Sequence, residues 1–479
     1  MPLAPLRTIP LLLALASAMA GCANPKSTPD PSQEGSDNAS EAADSGSGLG
    51  PEADASEADA SADSTAAPDT TDAGSDAGSG NTPASALGAV RSATRFEDNE
   101  AGIVTASTVR RWIAEAENGP AEGDLIILQF GPAALDGGFL PSPPGVRTYD
   151  APNLATLVQE RSNGLFAAQI APGRGTRLDS FLRNFAINPT TDRILIAAVE
   201  PSATAFADLA RVWVSLRYWG IAHERIAILD GTLTAGFSAE ELSNAPLAPP
   251  ADGTWRFPEL ATPRFELLAT IEDVTAQQDR SGPLLDLRPQ AEFDGAAISL
   301  SGHDDTCLLG APACSAVRSG RIRGANRLPL EAIGDPATLR WQGPEAIDAA
   351  LLEAGLQPDS APILYDADGG ASAIATLGLL GISGRDARWY AGSFVEWSLL
   401  ASDHPLAPLR ALPEGSPWRL PEERFEAGGL FATSEGGVRP LVLDPAVAST
   451  GRITAEDRAY LANPPALPAV GAGDANCSR

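Results

Sequence analysis

Lysine is almost absent: Lys26 is the only one in 479 residues, and every other basic residue is arginine. We read this as a compositional bias without functional meaning. Positive charge as a whole is scarce, with 33 basic side chains against 62 acidic ones and a net charge of −29. So acidic a chain lacks the positive footprint that displaces counterions from a phosphate backbone, which excludes general nucleic-acid binding. Cysteine is limited to Cys22, Cys307, Cys314 and Cys477, and histidine to His223, His303 and His404. None of the histidines stands at a spacing from serine or cysteine that suggests a hydrolytic triad, and no metal site or cofactor is expected. No apolar run reaches the ~20 residues a membrane-spanning helix needs. The chain does have the length for two or three domains of roughly 150 residues, and its 43% hydrophobic content is enough to bury real cores.

Residues 1–21 have the layout of an export signal. Arg7 supplies a positive region, Leu11 to Ala20 is a largely apolar run, and small residues precede Cys22. Met19-Ala20-Gly21-Cys22 resembles the lipobox of bacterial lipoproteins, with Met19 where leucine is usual. The resemblance implies that Cys22 becomes an acylated N-terminus holding the chain to a membrane of the cell envelope. An ordinary secretory signal with an incidental cysteine is the alternative. Ala23, rather than aspartate, favours the outer membrane over the inner, with the folded part in the periplasm or at the cell surface. Residues 22–86 are nearly all Ala, Ser, Asp, Glu, Gly, Thr and Pro, with 13 acids against Lys26 between Ala23 and Gly80. Such a stretch cannot repay its ordering entropy by burial and is expected to be a disordered acidic tether.

From about Gly88 the texture becomes strand, helix, strand. Asp124 to Phe130, Arg193 to Val199 and Arg225 to Leu229 are apolar runs of buried-strand length. Between the last two, Phe206, Leu209, Val212, Trp213, Leu216 and Trp219 fall at helical spacing. That alternation predicts α/β architecture, a parallel sheet flanked by helices. A second copy follows, with strands at Leu284 to Leu287, Pro362 to Tyr365 and Ala387 to Tyr390 and a helix at Ala371 to Leu380. The expected organisation is a first domain over 88–236, a Pro-rich linker over 237–263, a second domain over 264–402 and an extension over 403–479. The extension is rich in Pro, Gly and Ala, with a strand-like run at Val438 to Leu443 and a helical pattern at Thr454 to Leu461, and is expected either to wrap the two domains or to be largely irregular. Trp213, Trp219, Trp389 and Trp397 recur where cores need bulk and are assigned to packing.

The second copy carries three motifs in order. Leu285-Asp286-Leu287-Arg288 with Glu292-Phe293 and Gly295 resembles the opening motif of a rhodanese domain. Gly320-Arg321-Ile322-Arg323-Gly324-Ala325 resembles its central motif, with Arg323 in the proline position, and Tyr390-Ala391-Gly392-Ser393-Phe394-Val395-Glu396-Trp397 resembles its closing one. In the first copy, Ala210-Arg211-Val212-Trp213, Leu216-Arg217-Tyr218-Trp219-Gly220 and Leu229-Asp230-Gly231 resemble the N-terminal rhodanese unit, with Gln129 near its usual aspartate. The whole resembles a tandem-domain thiosulfate or 3-mercaptopyruvate sulfurtransferase over roughly 88–402. The resemblance implies two rhodanese-like domains, with the active site in the second. There a cysteine at a strand tip starts a loop that wraps into a helix N-terminus, whose N–H groups lower the thiol pKa and stabilise a persulfide.

In this chain the loop is Tyr365-Asp366-Ala367-Asp368-Gly369-Gly370-Ala371-Ser372-Ala373, and the alignment puts Asp366 at the nucleophile position. A carboxylate cannot carry a sulfane sulfur, but it can accept the same N–H bonds. Asp366 is therefore expected to fill its own cradle, with Asp368 adding a second charge that repels anionic substrates. The first-copy loop, Glu200 to Thr204, also lacks cysteine. Asp366-Ala367-Asp368-Gly369 superficially suggests a calcium loop, but further oxygen ligands are missing; an aspartyl phosphoryl acceptor lacks a basic partner in the loop. Asp286 and Arg288 line the active-site side in the family; in the absence of the cysteine we favour a structural ion pair that supports the loop. Cys307 and Cys314 lie in an insertion between the first two motifs of the second copy and, in an exported protein, are expected to pair as a disulfide rather than bind metal with His303; a redox-active or persulfide-forming Cys307 is the alternative. Cys477 is left over.

The function expected is that of a catalytically silent, lipid-anchored envelope protein that binds a small anion or a protein partner at the interface between its two units. The alternative is an active sulfurtransferase that moves sulfane sulfur through one of the remaining cysteines.

Overall fold

A computed structural model describes residues 96, 99, 101–118, 123–131, 138–152, 154–161, 169–250, 253, 255–259, 262–297, 318–402, 416–429 and 451–466. The export signal, the tether, the 298–317 insertion and all four cysteines lie outside the described residues.

The first half runs β1 (Ile103–Val104), α1 (Ala106–Asn118), β2 (Leu125–Phe130), β3 (Val146–Asp150), β4 (Val158–Arg161), β5 (Gln169–Pro172), α2 (Gly175–Asn184), β6 (Arg193–Ala198), α3 (Ala203–Tyr218), β7 (Ile226–Leu229) and α4 (Leu233–Gly236). β1, β7, β6, β2 and β3 form one sheet in that order, every pairing parallel. All six β2 residues are buried, the pattern of a strand covered on both faces. β4 and β5 form a separate antiparallel pair. α3 begins where the Ser202 side chain accepts the Ala205 N–H at 3.0 Å, and it buries Phe206, Leu209, Val212, Trp213 and Leu216 as its spacing predicts.

The second half runs α5 (Ile271–Asp279), β8 (Leu284–Asp286), α6 (Gln290–Phe293), β9 (Arg321–Ile322), β10 (Asn326–Arg327), β11 (Gly334–Asp335), β12 (Arg340–Trp341), α7 (Pro344–Glu353), β13 (Ile363–Tyr365), α8 (Gly370–Leu377), β14 (Arg388–Trp389) and α9 (Ser393–Leu399). Its sheet has the order β10-β8-β13-β14, again wholly parallel, and Leu268 makes a parallel bridge to Trp389 on the outer side. The order β3-β2-β6-β7-β1 is thus repeated as β10-β8-β13-β14-Leu268. In each half the helix that follows the central strand turns toward the other half, so α3 and α8 lie against one another. A second link joins Asp230 to the β11–β12 hairpin: its carboxylate accepts the Trp341 N–H at 3.0 Å and pairs with Arg340 at 3.0 Å.

The helix expected at Ala371 to Leu380 starts one residue earlier and leaves α geometry after Leu377, continuing as a π-helical turn, Gly378–Ser383. Glycine permits close approach there. A Cβ on Gly378 would lie 2.6 Å from Ile333, and one on Gly381 would lie 2.4 Å from the Ala101 carbonyl. Residues 237–263 do not hang free of the first half. Asn244 bridges to Phe139, and Phe257 is fully buried with its N–H on Asp179 at 2.8 Å. Of the extension after residue 402, segments 416–429 and 451–466 are described; the helical pattern expected at Thr454 to Leu461 is present there as a helix, and the strand-like run at Val438 to Leu443 lies outside the described residues. β15 (Phe425–Glu426) pairs antiparallel with β9, and α10 (Arg452–Ala462) is a regular helix with Ile453, Thr454 and Asp457 buried. Its ordering comes from partners that sequence spacing does not reveal. Trp213, Trp219, Trp389 and Trp397 are all fully buried, as packing residues should be. Among the described residues, no helix is long and apolar enough to cross a membrane.

Candidate functional site

The loop between β13 and α8 lies at the carboxyl end of the central strand, where open parallel sheets place their ligands. Tyr365 ends β13 fully buried, its hydroxyl accepting the Ile322 N–H at 3.2 Å. Asp366 follows, only 4% exposed. Its Oδ1 accepts the Gly369 N–H at 2.7 Å, the Ser372 hydroxyl at 2.8 Å and the Ser393 hydroxyl at 3.0 Å. Its Oδ2 accepts the Ala371 N–H at 2.8 Å. The backbone is fixed as well: Asp366 N donates to Ser393 Oγ at 3.3 Å, and its carbonyl accepts the Phe394 N–H at 2.9 Å. One carboxylate therefore receives two N–H groups at the start of α8 and two hydroxyls.

Gly369 makes this turn possible. It sits at φ +91° as the residue before α8, and a Cβ there would come 2.7 Å from the Ala391 carbonyl. Its own carbonyl accepts Trp389 Nε1–H at 3.0 Å. Asp368 takes the remaining amide of the turn, Gly370 N–H, at 3.1 Å. The amides of Gly369, Gly370 and Ala371 are thus all held by carboxylates of the loop itself. The Asp368 side chain is 46% exposed, yet its pKa is raised, first by desolvation in the packed rim and second by the Asp366 charge.

Arg211 reaches the loop from α3 in the other half. Its Nη2 lies 3.3 Å from the Asp368 carbonyl and 3.4 Å from Asp368 Oδ1, while Nη1 lies 3.7 Å from Asp208 on its own helix. The Asp208 pKa is raised, by burial before the opposing pull of Arg211. Ala367 follows Asp366 and donates no side-chain bond; its carbonyl accepts the Val395 N–H at 3.1 Å.

Asp286 and Arg288 form a buried pair next to the loop. Arg288 Nη2 lies 2.6 Å from Asp286 Oδ2, Nε lies 3.0 Å from Oδ1, and Nη2 also donates to the Gly320 carbonyl at 2.7 Å. Burial alone would lower the Arg288 pKa; the Asp286 charge raises it instead. The guanidinium stacks 3.8 Å above the Phe394 ring, one residue from Ser393. Both side chains are buried and their bonds are made within the protein, to one another and to the Gly320 carbonyl.

Two loop partners went unassigned in the sequence. Ser393 stands in the quoted closing motif, but its φ of +52°, rare for serine, and its bonds to Asp366 and the Tyr390 carbonyl at 2.9 Å are tertiary facts. Arg211 likewise stands in a quoted motif of the first copy, 157 residues from Asp368. Glu396, in the same closing motif, is buried, and burial pushes its pKa up to about 8, with Tyr390 offsetting part of the rise. Among the described residues, no group of three His, Cys, Asp or Glu could hold a metal ion.

Residues 266–400 match the family model described as a rhodanese-like domain. No curated protein matches the sequence. Among solved structures, the chain is similar to the 3-mercaptopyruvate sulfotransferase SseA of Escherichia coli, at 20% identity over 61% of this chain and 98% of that one, with a TM-score of 0.41. It is similar to the Tum1 protein of Saccharomyces cerevisiae at 14% identity over 63% and 96%, with a TM-score of 0.41. The anaerobic ergothioneine biosynthesis enzyme of Chlorobium limicola, solved with trimethyl histidine, gives 17% identity over 70% and 72% and a TM-score of 0.46.

Proposed function

We propose that the chain pairs two rhodanese-like units whose sulfur-carrying position is occupied by Asp366, and that it acts as a binding module of the cell envelope rather than as a sulfurtransferase. The observation that carries this reading is the Asp366 carboxylate itself, which accepts Gly369 N–H, Ala371 N–H and the hydroxyls of Ser372 and Ser393. An anion cradle works by offering free N–H groups to an incoming negative charge. Here an internal carboxylate takes that place, and a carboxylate oxygen offers no soft nucleophile for a sulfane sulfur.

The rim supports the same reading. Asp368 and Asp208 flank Arg211, so an approaching thiosulfate or mercaptopyruvate meets two carboxylates for one guanidinium. What remains at the junction of the halves is a polar rim suited to a partner or a small ligand that makes no demand on the cradle amides. The Met19-Ala20-Gly21-Cys22 sequence supports export and attachment through a lipid on Cys22, with the folded halves carried at the end of an acidic tether.

A thiosulfate–cyanide assay of the natural chain and of Asp366→Cys tests the reading. The expected outcome is no turnover for the natural chain and measurable thiocyanate from the variant, whose thiol would enter a cradle already lined by Gly369, Ala371, Ser372 and Ser393. Turnover by the natural chain would overturn it.

A further inference from the structure

The first half is closed by a helix that arrives nearly three hundred residues later in the chain. Asp457 of α10 grips Arg161 with both oxygens, Nη1 to Oδ2 at 2.8 Å and Nη2 to Oδ1 at 2.8 Å. Tyr218, the last residue of α3, donates its hydroxyl to Asp457 Oδ2 at 2.7 Å. Arg161 also reaches the Pro172 carbonyl at 3.0 Å, the Ile453 carbonyl at 3.2 Å and Glu456 at 3.3 Å. The side chains of Arg161 and Asp457 are 0% and 2% exposed. A second polar contact joins Tyr460 to Asp179, and Arg256 holds the chain beyond the helix through the Pro465 carbonyl at 2.9 Å.

Apolar contact is the smaller part of this docking. Ile453 is the one fully buried apolar side chain of α10, with Tyr460 and Leu461 packed partly against the core. Burial of that extent is small beside the entropy of ordering eleven residues. The ionic grip therefore decides whether the helix is docked. Beneath it lie Arg161, Tyr218, Trp219, against which Tyr460 packs edge-on at 5.7 Å, and Phe265, over which Arg458 sits at 5.3 Å.

We propose that α10 is a detachable latch: docked, it seals the Arg161–Tyr218 end of the first half, and on release it leaves as a unit, uncovering a cationic and aromatic face while both sheets stay folded. Elements that open below the global unfolding free energy are those with few buried apolar contacts, and α10 is built in that way. The chemistry of the grip concentrates its weakness at one point, because loss of the Asp457 charge leaves the buried Arg161 with a single counter-charge, the partly exposed Glu456 at 3.3 Å.

Limited trypsin digestion of the full chain, with cut sites read by mass spectrometry, tests this. In Asp457→Asn, cleavage after Arg458 should accelerate by at least ~10-fold over the natural chain, while cleavage after Arg193, Arg217 and Arg385 stays unchanged. An unchanged rate at Arg458 would overturn the proposal. So would a uniform acceleration at all four sites, since α10 would then be an integral piece of the fold and not a separable one. Hydrogen exchange on the natural chain gives an independent reading: the amides of 455–462 should exchange through an opening that leaves α3 and β6 protected, and equal protection of all three would contradict the latch.

Discussion

Replacing Asp366 isolates the internal carboxylate that the functional reading depends on. In Asp366→Asn the oxygen facing Gly369 N, Ser372 Oγ and Ser393 Oγ can be retained, but an NH₂ group then faces the Ala371 N–H now held at 2.8 Å. A hydrogen bond to a charged acceptor contributes about 1.5–3 kcal/mol, and a donor facing a donor adds its desolvation cost. The expected loss is about 3 kcal/mol for Asn, and about 3–5 kcal/mol for Asp366→Ala, which strands two amides and two hydroxyls but lets water into the rim. For a domain of the size of 266–400, each kcal/mol lowers the midpoint by about 3–4 °C, so Asp366→Asn should melt roughly 10 °C lower. Denaturant titration followed by circular dichroism gives the free energies, and hydrogen exchange at Gly369 and Ala371 locates the loss. Millimolar sulfate should raise the midpoint of Asp366→Ala by more than that of the natural chain, because, beyond the general stabilisation the salt gives any folded chain, only the emptied cradle offers free amides. If both variants stay within about 0.5 kcal/mol of the natural chain, the carboxylate is an ordinary surface group and the reasoning fails.

Other outcomes follow from the same geometry. Gly369→Ala forces a Cβ onto φ +91° and against the Ala391 carbonyl at 2.7 Å, and should cost at least about 1–2 kcal/mol by denaturant titration. Ser393→Gly removes the hydroxyl but relieves the φ of +52°, whereas Ser393→Ala keeps the strain; the glycine variant should be the more stable by about 1 kcal/mol. Burial raises Glu396 to about 8, so the folded state binds its proton more tightly than the unfolded chain does. That contribution is fully present below the ordinary glutamate range and is lost as pH rises through about 8. Thermal midpoints should fall along that limb, and Glu396→Gln should flatten it; an unchanged slope would show that Glu396 does not titrate there.

The parallel sheets were legible because their strands are buried on both faces: Leu125 to Phe130 and Arg193 to Ala198 read as continuous apolar runs, and α3 carried its core face at helical spacing. The loop was legible as a string of residues, since Asp366, Gly369 and Ser372 stand where a strand ends and a helix begins. What lay beyond sequence was whatever depends on chain segments meeting. Ser393 returns to Asp366 across 27 residues, Arg211 crosses from one half to the other, and Arg161 waits 296 residues for Asp457. Local pattern carries no record of such contacts. The π-helical turn after Leu377 was hidden for a related reason, as Gly378 and Gly381 read as small helical residues until Ile333 and Ala101 are seen to press on them.

If Asp366 has replaced the sulfur-carrying group, no atom of the chain should take up sulfane sulfur. Incubation of the natural protein with thiosulfate, followed by intact-mass and peptide mass spectrometry under non-reducing conditions, measures it directly. With Asp366 in the nucleophile's place, the mass at every residue should stay unchanged; a sulfur adduct on Cys307, Cys314 or Cys477 would show a working sulfur carrier elsewhere in the chain and refute the silent-site reading.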